Sequence, residues 1–163
     1  MPTSRPALDP ATLDVGHLAL FVGYAFADAV MGTLGEAGFA DLRFSHGFLV
    51  QHLVDGARTI GELAERMEVT QQGASKAVAE LEALGYVERG ADDEDARVRR
   101  VRLSARGREA VAATRRARER LQRRLASRTG EKTVTDARRL LARLLDELGG
   151  AESVRRRRVT APR

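Results

Sequence analysis

Gln71, Gln72, Ser75 and Lys76 occupy one side of a helical segment whose other side carries Ala74, Ala77, Val78, Leu81 and Leu84. Side chains of those polar types read base edges. A glutamine amide can bond adenine N6 and N7 together, and lysine or serine can reach guanine or a phosphate. Thr70, just ahead of them, can cap the helix predicted over residues 71–84 by accepting a backbone N–H. Glu80 and Glu82 lie further along, so the first half of this face is uncharged or basic. Downstream comes Asp95-Ala96-Arg97-Val98-Arg99-Arg100-Val101-Arg102-Leu103. Arginine and valine alternate there with the period of a strand. Arg97 falls at the tip of the hairpin this implies, where a guanidinium can enter a narrow, negative minor groove. Asp95 can hold that guanidinium by a charge-assisted hydrogen bond, and Arg99 is placed to reach a phosphate. Either feature alone could be a solvated surface; in register with each other they predict contact with DNA.

The elements that must position these residues can be read outward from them. Tyr86 to Arg89 would be the other arm of the hairpin, joined by an acidic turn, and Gly85 supplies the left-handed stop before it. Thr59 and Glu62 form a capping box that opens a short helix over 60–67. Residues 42–54 read as a helix with Ser45 as a candidate cap and Phe48, Leu49, His52 and Leu53 facing inward. Ahead of it Leu13, His17, Leu20, Tyr24, Ala27, Met31 and Leu34 make one apolar stripe from Ala11 onward, stopped by Gly35-Glu36-Ala37-Gly38. Ser104 can cap a long arginine-rich helix to about Arg128. A last helix carries Leu140, Leu141, Leu144, Leu145 and Leu148, and Gly149-Gly150 is expected to end the ordered chain. The predicted fold class is mainly α with a small β-hairpin wing: a winged helix-turn-helix lobe plus helical dimerisation arms. Residues 1–10 are expected to be a flexible arm and 11–150 the folded domain. Within it 42–103 form the DNA-binding lobe and 11–35 with 104–148 the dimerisation helices, leaving 151–163 as a basic, disordered tail.

Composition narrows the classes further. The 163 residues carry Lys+Arg 28 against Asp+Glu 23, a net +5, which favours a polyanionic partner. Aromatics are only 4% and tryptophan is absent, so Leu, Ala and Val must fill the core, as suits helix-on-helix packing. There is no cysteine, which excludes disulfides, Cys-based zinc sites and thiol redox sensing. His17, His46 and His52 lack recognisable zinc-ligand spacing, and no nucleophile–base set or phosphate loop stands out, so no metal, no cofactor and no enzyme activity are expected. No apolar run is expected to approach the span of a bilayer and no signal-peptide core is evident, which points to the cytoplasm.

Taken together, Thr59-Ile60-Gly61-Glu62-Leu63-Ala64, residues 73–89 with Gly85-Tyr86-Val87, the wing Asp95-Ala96-Arg97-Val98-Arg99 and Ser104-Ala105-Arg106-Gly107 resemble the MarR family of bacterial winged-helix regulators. The resemblance implies a homodimer in which the first and the last two helices interdigitate, with Asp95 and Arg97 as the wing-tip pair. The family's wing is often basic where this chain has Ala96, so one phosphate contact is missing. The resemblance also implies a small-molecule pocket between the arms and the DNA lobe, for which His17, Phe21, Tyr24, His46, Phe48 and His52 are the candidates. The expected function is sequence-specific binding of double-stranded DNA at a pseudo-palindromic operator by a dimeric regulator. It reads as a repressor more than an activator, released by a small-molecule effector. Two other readings fit the same features: a winged-helix protein-interaction module, and a nonspecific nucleoid-type DNA binder using the arginine-rich helix and tail.

Overall fold

Two aspartates divide the N-terminal region where one helix was expected. Asp9 caps a single 3-10 turn, Pro10–Thr12, and Leu13 is extended. Asp14 then accepts from the N–H groups of Gly16 (2.9 Å) and His17 (3.0 Å) to open α1, Val15–Leu34. The computed structural model describes residues 8–92 and 97–156; residues 1–7 of the expected flexible arm lie outside them. Gly35 does not stop α1. The chain continues through one wide turn, Gly35–Phe39, and breaks at Gly38, whose φ of 91° is open to glycine at little cost.

The second helix is shorter than its apolar pattern suggests. Phe44–His46 is a 3-10 turn and α2 spans only Gly47–Val50. Ser45 is not its cap; the His46 Nδ1 atom accepts the Arg43 N–H (3.1 Å) from inside the turn. The next three elements follow their local signals closely. Thr59 and Glu62 exchange hydrogen bonds, Thr59 N–H to Glu62 Oε2 (2.7 Å) and Glu62 N–H to Thr59 Oγ1 (3.1 Å), to start α3, Ile60–Met67. Thr70 caps α4, Gln71–Ala83, and Gly85 turns left-handed at φ 78°. Strands β1, Val87–Ala91, and β2, Arg99–Leu103, then pair antiparallel with Val87 opposite Leu103 and Ala91 opposite Arg99. Arg58 adds one rung on the outer edge of β2 through two backbone bonds to Val101.

Ser104 joins wing to arm. It caps α5, Ala105–Thr129, by accepting the Gly107 N–H (3.0 Å), and its hydroxyl donates to the Gly85 carbonyl (2.6 Å). Gly130, at φ 94°, separates α5 from α6, Glu131–Glu147. Gly149-Gly150 does not end the ordered chain: Gly149 (φ 73°) leads into a short helix α7, Ala151–Arg155, where Arg155 reaches Asp146 of α6. The tail beyond Arg156 lies outside the described residues.

One core unites the lobe and the arm. Leu49, Leu53, Leu63, Ala74, Val78, Leu81, Tyr86, Val101 and Leu103 are buried in the lobe, and Ala110, Ala113, Ala117 and Leu121 continue the burial along α5 toward Val30 and Leu34. Small alanines at helical spacing let α5 lie close against α1. Most of α1 is nevertheless uncovered: Val15, Leu18, Leu20, Phe21, Val22 and Tyr24 are exposed, as are Leu140, Leu141, Leu145 and Leu148 of α6. The expectation that no apolar run approaches a bilayer span does not hold. Over Val15–Phe39, 25 residues, the helix is long and apolar enough by length and composition to cross a membrane, and only 11% of its most apolar window is buried. The glycines and alanines between the large residues make its whole circumference apolar, where a stripe had been counted.

Candidate nucleic-acid interface and pocket

Helix α4 presents the predicted reading face. Thr70 Oγ1 accepts the Gly73 N–H (3.0 Å) and fixes the first turn, where Gln71, Gln72 and Lys76 are exposed. Ser75 is half-buried, turned further toward the lobe than a uniform polar face would place it. On the opposite side Ala74 and Val78 are fully buried, so α4 is held by its inner face while its outer face stays open.

The wing sorts its arginines by what they touch. Arg102 pairs with Glu88 (2.7 Å) directly across the hairpin. Arg100 binds Asp92 and also Glu62 (3.3 Å), the same carboxylate that closes the α3 capping box. Glu62 is held below its ordinary pKa first by the Thr59 backbone N–H, with Arg100 and Arg58 adding to it against partial burial. Arg89 pairs with Glu82 of α4 (3.1 Å). The base of the wing is thus neutralised against the lobe. Arg99 is exposed and makes no ion pair among the described residues, and Arg97 is exposed at the start of the returning arm. Asp95, the expected partner of Arg97, and Ala96 lie outside the described residues.

A second cluster fastens the wing to the arm, and no local signal announced it. The Tyr86 hydroxyl donates to Asp41 Oδ1 (2.5 Å), and Arg106 Nη2 donates to both Asp41 oxygens (3.0 and 3.1 Å) and to the Tyr86 oxygen (3.0 Å). The Arg106 guanidinium also lies over the Tyr86 ring, 4.8 Å from its centroid. The Tyr86 hydrogen bond, helped by Arg106, holds the Asp41 carboxyl below the usual carboxylate range. Desolvation, followed by the Asp41 hydrogen bond, pushes the Tyr86 phenol up. Gly107 is part of the same joint: a Cβ there would collide with the Tyr86 carbonyl oxygen.

Between α1, the 42–54 segment and α5 lies a cavity of about 620 Å³, within the range of small-molecule sites. Phe26, Val30, Met31 and Leu34 wall it on α1, Leu42, Arg43, Phe44 and His46 on the second segment, and Ala110, Val111, Thr114, Arg115 and Arg118 on α5. Of the predicted pocket residues only His46 lines it. His17, Phe21 and Tyr24 sit toward the exposed N-terminal end of α1, where His17 Nδ1 contacts Asp14 (2.5 Å). Phe48 packs edge-on against Phe44 (5.7 Å), and His52 is buried. The expectation went wrong by following the apolar stripe of α1 to its uncovered end; the crevice opens further along, around Phe26 to Leu34. Among the described residues no group of three or more His, Asp or Glu could hold a metal ion.

His46 also connects this cavity to α4. Because Nδ1 accepts the Arg43 N–H, its ring proton is assigned to Nε2, which faces Glu80 Oε1 at 3.5 Å; the Arg43 guanidinium pairs with that same oxygen. Burial first, and then the Arg43 charge, hold the imidazole below its ordinary pKa, with Asp41 partly opposing them.

Residues 41–98, which include both helices and the hairpin, match the MarR family model. Over this lobe the chain belongs to the MarR family. No curated protein sequence matches significantly. Solved structures extend the likeness of the MarR fold to the arms. YusO from Bacillus subtilis superimposes with a TM-score of 0.64 at 20% identity, over 86% of this chain and 98% of that one. MepR, a transcription regulator of the Staphylococcus aureus multidrug efflux pump MepA, does so with 0.65 at 17%, over 83% and 99%. Transcriptional regulator Tm0710 from Thermotoga maritima gives 0.59 at 19%, over 81% and 94%. Among the MepR structures that superimpose, one is bound to an oligodeoxyribonucleotide and another to ethidium bromide. For this MarR-family chain the likeness therefore runs from α1 through α6 as well as across the lobe.

Proposed function

We propose that the protein is a dimeric transcription regulator that binds double-stranded DNA in a sequence-specific way. The observation that carries the reading is the open N-terminal half of α4, with Gln71, Gln72 and Lys76 exposed and the helix locked by its buried face. Gln71, Gln72 and Ser75 would read base edges in the major groove, with Thr70 and Lys76 at its rim. Arg97 would enter the adjacent minor groove, positioned by Asp95, and Arg99 would bind the backbone. The MepR structure bound to an oligodeoxyribonucleotide supports this assignment by analogy of fold.

The exposed apolar faces of α1 and α6 are what a second copy would cover, and a twofold pair of lobes reads half-sites roughly 10 bp apart. The cavity between arm and lobe is the effector site in this reading, and occupancy releases a repressor from its operator in the cytoplasm. Selection of binding sites from genomic fragments with the full chain tests the proposal. It should return a pseudo-palindrome, and Lys76→Ala with Arg97→Ala should weaken binding and lower the salt slope by about two. Recovery of fragments without sequence preference would overturn it.

One observation favours a second reading. Arg116, Arg120, Arg124 and Arg128 form an exposed row along α5 and make no ion pair among the described residues. A row of this kind would suit nonspecific DNA binding. Replacing these four with Gln separates the readings: a specific regulator keeps its preference for the selected site, and a nonspecific binder loses most of its affinity.

A further inference from the structure

We infer that Arg43 and His46 form an anion site in the wall of the cavity, and that Glu80 of helix α4 is its internal occupant. A ligand that carries a carboxylate on an apolar body would displace Glu80 and so detach α4 from the segment before α2. The inference rests on the cavity being an effector site. Arg43 and His46 both line the cavity, while Glu80 reaches them from α4 and does not line it. The Glu80 Oε1 atom pairs with the Arg43 guanidinium and faces His46 Nε2 at 3.5 Å, and the two cationic-side nitrogens are 3.2 Å apart. One carboxylate oxygen therefore serves two donors that also open onto the cavity.

The rest of the wall suits such a ligand. Phe26, Val30 and Met31 offer an apolar bed, no acidic residue lines the cavity, and Arg115 and Arg118 of α5 carry further positive charge with no ion pair among the described residues. An incoming carboxylate exchanges with Glu80 on donors already desolvated toward the cavity, so no buried charge is left unpaired by the exchange. Glu80 lies one helical turn beyond Lys76, on the C-terminal side of the reading face. Its release therefore acts on the element that meets DNA, and the coupling between ligand and DNA is reciprocal.

The test measures binding of 2-naphthoate and of the neutral 2-naphthamide to the full chain without DNA. Glu80→Gln removes the competing charge and should tighten naphthoate binding on the order of fivefold, the weight of a partly exposed ion pair, while leaving naphthamide unchanged. Arg43→Gln should abolish the preference for the acid over the amide. Unchanged or weaker naphthoate binding by Glu80→Gln would overturn the inference. Equal binding of acid and amide by the unaltered protein would overturn it too, while leaving the cavity as an effector site. Absence of saturable binding by either compound would remove the effector site itself, and operator binding is decided separately.

Discussion

Replacing Tyr86 by Phe removes one oxygen from the joint between wing and arm and little else. The ring is fully buried against Phe39 and beneath Arg106, and it stays. What is lost is an O–H donated to the Asp41 carboxylate at 2.5 Å and a bond accepted from Arg106 at 3.0 Å. Hydrogen bonds to charged groups contribute roughly 1.5–3 kcal/mol. Asp41 keeps Arg106 and solvent as partners, so the lower part of that range applies, about 1–2 kcal/mol. For a chain of this size that corresponds to a fall in Tm of about 3–6 °C. Urea unfolding at one fixed protein concentration should show a lower midpoint with the same slope, since stability of a dimer depends on concentration. The pH dependence adds a sharper check. Asp41 is held below its ordinary value of 3.8, chiefly by the Tyr86 hydroxyl. Its contribution is complete above the unfolded value and is lost as pH falls through the folded one. The deficit of Tyr86→Phe should therefore shrink as pH is lowered through the carboxylate range. A variant as stable as the parent at pH 7, or one whose deficit is unchanged in acid, refutes the reasoning.

Gly107→Ala should lower stability by about 1–3 kcal/mol in the same assay, because its Cβ meets the Tyr86 carbonyl. Gly23→Ala on α1, where a Cβ meets nothing within 4 Å, should be neutral or stabilising by up to about 1 kcal/mol. His46 is kept neutral by burial and by Arg43, so the unfolded chain takes up a proton that the folded chain refuses. Stability should thus fall as pH drops below about 6.5, and His46→Gln should flatten that slope in thermal unfolding between pH 7.5 and 5.5. Phe21→Asp combined with Leu141→Asp places charge on the exposed faces of α1 and α6. Sedimentation should then report a monomer; an unchanged dimer would mean that the subunits meet elsewhere.

Local signals carried the lobe far. The Thr59–Glu62 box, the Thr70 and Ser104 caps, the left-handed Gly85 and the alternation in β2 all act within a few residues, and each appears where it was expected. Errors cluster where a side chain's partner is distant or unexpected. Ser45 looked like a cap until His46 folded back onto the Arg43 N–H. The pocket was assigned to His17, Phe21 and Tyr24 because periodicity reports which residues share a face of α1 and does not report how far along the helix a neighbour begins.

By itself, then, the order of residues determined the helices of the reading lobe, the hairpin and the polar face of α4, because capping, turn chemistry and periodicity operate over one or two turns of chain. The tertiary structure alone decided what closes against what. Asp41, Tyr86 and Arg106 meet across separations of up to 65 residues, and Glu80 reaches Arg43 and His46 from another helix. Such contacts depend on the angle at which α5 lies against α1 and the lobe, which is set by alanines too small to leave a pattern of their own.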